Sequence, residues 1–323
     1  MDVKTAIEQI NSWASQEISF VYLIDFELNK IRLWSCDEPV EDILYDFNGF
    51  SNVISTHTKQ EKAVINSIVP FPQHEYDEAF DQVQKEILYG NSFLLNLTAR
   101  SEIKTELSLE EIYHCSLAKY KFLLKDSFVC FSPESFIKIN NKRIFSYPMK
   151  GTIDASVEGA REILLNDPKE RSEHNTIVDL IRNDISRYAK KVHVPRFRYI
   201  DKIEAQERTL LQVSSEITGE LPDDYKRHLG DILFSMLPAG SISGAPKKKT
   251  VEIIKNAENS DRGYYTGIAG YFDGKDLDSC VLIRFIESEN EKFYYRSGGG
   301  ITFMSDKESE YKELLQKIYV PTH

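Results

Sequence analysis

The sequence contains little cysteine, no long apolar run and no excess of positive charge. Its four cysteines lie far apart without Cys-x-x-Cys spacing, which argues against a zinc site and against a disulfide framework. No uncharged run approaches the ~18 residues that a membrane helix requires, and the first residues contain no apolar signal core. We therefore expect a cytoplasmic protein with reduced thiols and no membrane partner.

Negative charge dominates the composition, with 51 acidic against 40 basic residues and a formal net charge of −11. General nucleic-acid binding is disfavoured, because neutralising phosphates requires a basic surface. Hydrophobic residues make up 41% of the chain, which is typical of a folded globular protein. If the substrate is an anion, its site must contain a local cluster of cations.

Strand and helix patterns occur in clusters, without the regular alternation that a parallel sheet requires. Strands are predicted at 20–26, 30–34, 127–131, 136–139, 143–147, 192–194, 199–203, 210–219, 267–273, 280–287 and 292–297. Helices are predicted at 76–89, 109–119, 157–165, 173–190, 225–236, 247–256 and 307–318. The order favours an α+β protein with large antiparallel sheets, and no linker or internal repeat divides it.

Two pairs of glutamates stand three residues apart in predicted helices. Glu170 and Glu173 form one pair, and Glu310 and Glu313 form the other. An i, i+3 spacing projects both carboxylates from one helix face. Two such pairs meeting at one point would bind a hard cation such as Mg²⁺ through oxygen ligands. On spacing alone, a solvated acidic face is the commoner explanation.

Two further residues are candidates for catalysis. Lys150 stands between Pro148 and Gly151, so its direction is more restricted than that of a helix-surface lysine, although most such lysines are ordinary loop residues. Glu134 lies between two predicted strands. If it is partly desolvated, its raised pKa suits a general acid, whereas the commoner case is a glutamate in a surface turn.

Arg284 and a run of three glycines are candidates for ligand binding. Arg284 lies within an apolar predicted strand, where a buried charge needs a partner. That partner is either a structural acid or a ligand carboxylate held by both ends of the guanidinium. Gly298–Gly300 follow a predicted strand and either bring backbone N–H groups close to a carboxylate or form a plain turn.

Taken together and in this order, these segments resemble the chorismate-utilising enzymes. That family includes anthranilate synthase component I, aminodeoxychorismate synthase component I, and the isochorismate and salicylate synthases. The resemblance is carried by Ser132-Pro133-Glu134, 147–152, 170–184, 240–247, 262–267, Arg284, Gly298–Gly300 and 310–317. It makes residues 76–323 the chorismate-binding core and residues 1–75 a short region that completes the sheets, without an evident tryptophan-binding site.

The resemblance also implies a fold and a set of roles. The fold is two large antiparallel β-sheets packed together in one compact domain, with helices outside. Mg²⁺ is held by Glu170, Glu173, Glu310 and Glu313, and Glu134 protonates the departing C4 hydroxyl of chorismate. The substrate is held by Gly151, Thr152, Tyr265, Arg284, Gly298, Gly299, Gly300 and Lys317.

Lys150 distinguishes between members of the family. Aminodeoxychorismate synthases have lysine here, where anthranilate synthases usually have alanine, and its amine is taken to attack C2 of chorismate before ammonia adds at C4. That role needs an amine whose pKa is lowered by burial or by nearby cations. Isochorismate and salicylate synthases place their water-activating lysine where this chain has Leu94, so those two activities are disfavoured.

The expected activity is therefore the amination of chorismate for folate and para-aminobenzoate biosynthesis. Ammonia would come from a separate glutamine amidotransferase subunit. The nearest alternative is anthranilate synthase component I. An alternative of another class is a non-catalytic chorismate-binding subunit, which would not need Glu134 and Lys150 together.

Overall fold

The computed structural model describes residues 1–38, 40–53, 64–205, 208–258 and 260–322. The chain divides into two compact units, each assembled from three separate stretches. The first unit contains Met1–Glu38, Glu134–Ser241 and Gly267–Cys280, and the second contains Pro39–Pro133, Ile242–Thr266 and Val281–His323. Between Pro133 and Glu134, therefore, the chain leaves the second unit and enters the first.

The described residues form strands and helices that alternate irregularly. The strands are β1 (Phe20–Ile24), β2 (Ile31–Ser35), β3 (Ile43–Phe47), β4 (Phe50–Ser51), β5 (Ser67–Val69), β6 (Leu94–Lys104), β7 (Tyr120–Leu124), β8 (Phe128–Ser132), β9 (Ser135–Asn140), β10 (Arg143–Ser146), β11 (Met149–Asp154), β12 (Lys190–Ala205), β13 (Arg208–Glu220), β14 (Gly244–Ala245), β15 (Ile268–Phe272), β16 (Leu277–Val281), β17 (Phe285–Glu289) and β18 (Lys292–Ile301). The helices are α1 (Val3–Ser15), α2 (Gln73–Leu88), α3 (Leu109–Cys115), α4 (Ala160–Asn166), α5 (Pro168–Ile185), α6 (Leu229–Ser235), α7 (Lys247–Ala257) and α8 (Lys307–Gln316).

The first unit is built on a sheet of nine described strands. Its order is β11-β13-β10-β9-β16-β15-β1-β2, with β12 paired to β13. Strand β1 pairs with β2 on one side and β15 on the other, and all five of its residues are buried. A strand enclosed in this way reads as a continuous apolar run, which is why Phe-Val-Tyr-Leu-Ile lacks alternation.

The second unit contains another sheet of nine described strands. Its order is β14-β6-β18-β17-β8-β7-β3-β4, with β5 paired to β6. The longest pairing joins β6 to β18 in antiparallel register from Phe293 opposite Ile103 to Ile301 opposite Leu95. Helix α3 begins at a capping box in which Ser108 and Glu111 bond each other's backbone N–H groups.

These two sheets confirm the predicted α+β fold with large antiparallel sheets. Strands from residues before 76 belong to both of them, β1 and β2 to one and β3, β4 and β5 to the other. None of the helices in the described part of the chain is both long enough and apolar enough to cross a membrane.

Three predicted elements differ from the structure in ways that matter for the site. The strand predicted at 280–287 is interrupted: β16 ends at Val281, β17 begins at Phe285, and Arg284 between them has a left-handed φ of 55°. Gly298–Gly300 do not form a turn, because they continue β18 opposite β6. The segment around Lys150 is a strand rather than a loop, as Met149–Asp154 pair with β13.

Candidate active site

Lys150 lies on β11 in the first unit, opposite Val213 of β13. The register shifts between Lys150 and Thr152, and Gly151 at this bulge has a φ of 72°, a conformation that glycine adopts without strain. The Lys150 side chain is only 17% exposed, and its Nζ lies 3.1 Å from Oε2 of Glu173. The amine is therefore fixed by an ion pair rather than free in solvent.

The first glutamate pair occupies the beginning of α5. The Asp167 side chain accepts a hydrogen bond from the Glu170 N–H at 2.8 Å, and Pro168 is the first helical residue, a position that proline favours. Glu173 is 3% exposed, so this pair is not a solvated acidic face. Its Oε1 accepts no hydrogen bond from the described residues and lies 3.7 Å from Lys169 Nζ.

Gly151 also determines how closely this helix approaches β11. A Cβ at Gly151 would lie 3.1 Å from Oε2 of Glu170 and 2.9 Å from Cδ1 of Leu164. Any other residue would have to displace the carboxylate or the α4 side chain. The Lys-Gly dipeptide therefore places an amine and a bare backbone beside the two glutamates.

The charges around Lys150 oppose the expectation of a lowered pKa. Burial alone lowers the pKa of Lys150, but the carboxylates of Glu173 and Glu170, followed by Glu134, more than offset this effect. The net result is a pKa above that of an ordinary lysine. The acids of the first unit thus favour the charged form of Lys150, and a lowered pKa in the presence of a bound cation stays a prediction.

Glu134 occupies the connection between β8 and β9, as predicted. It lines a recess in the first unit together with Ser146, Pro148 and Asp184. Asp184 is buried near the end of α5, and its carboxylate lies 3.9 Å from the Arg187 guanidinium. Asp184 is the last residue of the 170–184 segment that carries the family resemblance, and the sequence assigned it no role.

His174 and Ser215 are two buried polar residues that sequence reasoning missed. The Nε2 of His174 lies 2.7 Å from the Ser215 hydroxyl, and both residues are almost fully buried. Burial, together with the positive charges of Arg198 and Lys150, lowers the pKa of His174 to about 4. The only feature of the sequence that could have pointed to His174 is its position directly after Glu173.

The second glutamate pair lies on α8 in the second unit. The Asp306 side chain caps this helix by accepting from the Ser309 N–H at 3.0 Å. Glu310 is buried, and a Cβ at Gly299 would lie 3.2 Å from its Oε2 and 3.5 Å from Oε1 of Glu313. The glycine run thus allows the helix carboxylates to lie directly against the backbone of β18.

Lys317 connects the end of α8 to the same strand. Its Nζ lies 2.7 Å from Oε1 of Glu313 and donates a hydrogen bond to the Gly298 carbonyl at 2.7 Å. The structure therefore brings Gly298, Gly299, Glu310, Glu313 and Lys317 into one cluster.

Arg284 is a half-buried cation among aromatic rings. Its Cζ lies 5.2 Å from the ring of Tyr319, and its backbone carbonyl accepts from the Phe131 N–H. Among the described residues its Nε has no hydrogen-bond partner, its side chain hydrogen-bonds that of Tyr319, and the groups that raise its pKa are tyrosines rather than acids. No structural acid is found beside Arg284 in the described chain, and a ligand carboxylate as its partner stays a prediction.

Two other predicted substrate-binding residues differ in exposure. Tyr265 is buried near Arg262 and Arg284, and burial raises its pKa to about 12 in spite of those cations. Thr152 is exposed on β11, and its hydroxyl accepts from the Gln212 amide at 3.4 Å.

The two glutamate pairs have the donor chemistry that Mg²⁺ prefers. Each pair supplies carboxylate oxygens, and a glycine faces one of these oxygens in the first unit and two of them in the second. The buried Oε1 of Glu173 accepts no hydrogen bond from the described chain, as expected for an oxygen kept for a cation. Nowhere in that part of the chain do three or more His, Cys, Asp or Glu side chains form a metal-binding group, so the four-glutamate site stays a prediction.

The chain belongs to the chorismate-binding enzyme family, which matches residues 21–323. It is 49% identical to an uncharacterized PabA-like protein of Haemophilus influenzae over 98% of this chain and 96% of that protein. It is 32% identical to aminodeoxychorismate synthase component 1 of Escherichia coli, over 76% of this chain and 56% of that protein.

Solved structures of two other enzymes share the fold of this chain. The menaquinone-specific isochorismate synthase of Escherichia coli superimposes with a TM-score of 0.74 at 17% identity, covering 97% of this chain and 80% of that one. Anthranilate synthase component I of Streptococcus pneumoniae gives a TM-score of 0.69 at 26% identity, covering 80% of this chain and 60% of that one. Together with the family match and the relatives, this confirms the predicted resemblance to chorismate-utilising enzymes.

Proposed function

We propose that this chain is an aminodeoxychorismate synthase component I, which converts chorismate and ammonia to 4-amino-4-deoxychorismate. The observation that carries the proposal is the position of Lys150, whose amine lies 3.1 Å from Glu173 within the electrostatic reach of Glu134. A fixed amine next to an acid is the arrangement that covalent catalysis at an allylic alcohol requires. Relatives named aminodeoxychorismate synthase component 1 support this choice.

The proposed reaction proceeds in two balanced displacements. The neutral amine of Lys150 forms a bond to C2 and loses a proton, both double bonds of the conjugated ring diene shift, and the C4–O bond breaks as Glu134 donates a proton and water leaves. Ammonia then forms a bond to C4 and loses a proton, both double bonds shift back, and the C2–N bond breaks as the Lys150 nitrogen regains a proton. One ammonia is consumed and one water is released, and Lys150 returns as an amine.

Binding of the substrate would involve Arg284 and the two glutamate pairs. Arg284 lacks a carboxylate partner within the described chain and would bind one carboxylate of chorismate. Mg²⁺, held by the glutamate pairs, would supply positive charge for the other carboxylate and would neutralise the acids that raise the pKa of Lys150. The amidotransferase subunit would deliver ammonia.

Anthranilate synthesis is the second candidate, and the similarity to the Streptococcus pneumoniae enzyme is what supports it. It requires the loss of pyruvate after amination at C2. Lys150 argues against it, because the resemblance implies alanine at this position in most anthranilate synthases. A non-catalytic chorismate-binding subunit is less well supported, because such a protein has no need for a buried lysine–glutamate pair beside Glu134.

The test is to incubate the chain with chorismate, Mg²⁺ and ammonium at alkaline pH and to identify the product by mass spectrometry. We expect 4-amino-4-deoxychorismate, and we expect Lys150→Ala to lower the rate by more than about 100-fold, since the nucleophile is lost. Lys169→Ala is the matched control, because Lys169 also lies near Glu173 but would form no bond to substrate. Anthranilate as the product, or a fully active Lys150→Ala variant, would overturn the assignment or the covalent step respectively.

A further inference from the structure

Ser215 lies where three elements of the first unit meet. Its backbone N–H donates to the Pro148 carbonyl at 3.1 Å, just before β11. Its hydroxyl oxygen accepts from the Arg198 N–H of β12 at 2.9 Å and lies 2.7 Å from Nε2 of His174 on α5. One fully buried residue therefore contacts the beginning of the strand that carries Lys150 through its backbone and the helix that carries Glu170 and Glu173 through its side chain.

The direction of the serine–histidine hydrogen bond follows from counting the partners of each group. If His174 donated from Nε2, both the serine proton and the Nδ1 lone pair would lie buried without a partner in the described chain. If Ser215 donates to Nε2, only the Nδ1–H remains unpaired. The second arrangement leaves fewer buried groups unsatisfied, so Nε2 of His174 is the acceptor.

The register of β11 and β13 places the Ser215–His174 contact next to the ion pair of Lys150 and Glu173. Lys150 is opposite Val213, and Ser215 follows two residues later on β13, so the Lys150 and Ser215 side chains share one face of the sheet. Against that face, consecutive residues of α5 make consecutive contacts, Glu173 with Lys150 and His174 with Ser215. A shift of His174 must therefore move Glu173 as well.

We propose that the Ser215–His174 hydrogen bond is a positioning contact that holds the Glu173 carboxylate against Lys150. The inference rests on the proposed function only in giving Lys150 a chemical role, because the geometry itself is independent of the product. Neither residue touches the reacting atoms in this proposal. They determine where α5 lies on β11 and β13.

The test compares four single variants with the wild-type protein. Ser215→Ala and His174→Asn remove the hydrogen bond, whereas His174→Gln keeps an acceptor near the position of Nε2. Ser214→Ala is the matched control, since Ser214 is equally buried on the same strand, faces the other way and has no hydrogen-bond partner in the described chain. The readouts are kcat and KM for chorismate, and the Lys150 Nζ to Glu173 Oε2 distance in crystals of each variant.

We expect Ser215→Ala and His174→Asn to lower kcat about 10-fold, with KM for chorismate changed less than about twofold. Their Lys150–Glu173 distance should lengthen beyond 4 Å, and a variant that combines Ser215→Ala with His174→Asn should lose no more kcat than either single variant. His174→Gln and Ser214→Ala should behave as wild type. An unchanged distance or kcat in Ser215→Ala, or a His174→Gln as slow as His174→Asn, would overturn the inference. The crystal distances test it even if chorismate yields another product, so the two proposals can fail separately.

Discussion

Both the backbone conformation at Gly151 and the close packing around it require a glycine. Its φ of 72° is strained for other residues, and a Cβ would meet Cδ1 of Leu164 at 2.9 Å and Oε2 of Glu170 at 3.1 Å. A glycine here therefore satisfies two requirements, a left-handed bulge after Lys150 and an open approach for a carboxylate.

We predict that Gly151→Ala destabilises the protein by about 2–3 kcal/mol, of which about 1 kcal/mol is backbone strain and the remainder is steric contact. Chemical denaturation measures the free energy of unfolding. Gly90→Ala is the control, because Gly90 has a similar φ of 79° with nothing within 4 Å of an added Cβ. Equal losses for the two variants would show that the Leu164 and Glu170 contacts are unimportant.

Arg284 illustrates a residue whose function opposes stability. It is half-buried at a left-handed φ, with aromatic neighbours and without a carboxylate partner in the described chain. A cation in such a place contributes little to the stability of the fold unless a ligand carboxylate pairs with it.

We predict that Arg284→Met raises KM for chorismate at least 10-fold while leaving the free energy of unfolding unchanged or increased. Arg296→Met is the comparison, because the Arg296 Nε donates to Glu287 at 2.8 Å and its loss leaves that acid with only the longer 3.3 Å bond from Arg100. Steady-state kinetics and denaturation together separate the two cases. A destabilised Arg284→Met with normal KM would indicate a structural role instead.

At the level of elements, α5 and α8 are built in the same way. Each begins at an aspartate whose side chain accepts from a backbone N–H in the first turn, Asp167 in one and Asp306 in the other. Each carries its glutamate pair within the first two turns, where the positive end of the helix dipole stabilises carboxylates. In each case the strand facing those glutamates presents a glycine.

We predict that Asp167→Ala lowers the free energy of unfolding by about 1 kcal/mol, because the cap at the start of α5 is lost. Asp167→Asn keeps an oxygen acceptor and should lose only a few tenths of that amount. Denaturation curves compare the two variants. If alanine and asparagine behaved alike, the cap would not be the cause.

Sequence patterns predicted these elements well where local chemistry decides them. The β1–β2 hairpin and α2 lie close to their predicted ranges, since strand propensity and a following Gly90 are local signals. Patterns failed at Arg284, where an apolar run hides a break between β16 and β17, and at Gly298–Gly300, where glycines continue a strand. In both places the conformation is set by a neighbouring strand or helix, which a local pattern does not contain.

At the scale of the whole chain, pairings between distant segments could not be predicted from the residues alone. Phe20 pairs with Phe272 across β1 and β15, and the two units draw on alternating stretches of sequence. The glutamate pairs were recognised by spacing, and the resemblance gave them a role. Their burial, their glycine neighbours and the Ser215–His174 contact depend on these long-range pairings and became visible only in the structure.

One ion pair holds distant stretches of the second unit together. Arg262 and Glu258 are almost fully buried, with the Arg262 Nη2 within 2.6 Å of Glu258 Oε1 and of the Asn96 carbonyl. Glu258 in turn accepts from the Thr98 N–H at 2.8 Å. The network thus ties β6 to residues 160 or more positions later in the chain.

We predict that Arg262→Leu destabilises the protein by about 3–5 kcal/mol, because Glu258 is left as an uncompensated buried charge and two backbone carbonyls lose their donor. Replacing Glu258 by Gln in the same chain should recover part of that loss, since the charge is removed while an acceptor for Thr98 stays. Lys249→Ala, which breaks the exposed pair with Glu252, should change the free energy of unfolding by less than about 0.5 kcal/mol. Denaturation of the three variants decides the matter, and an Arg262→Leu loss as small as that of Lys249→Ala would contradict the role given to this pair.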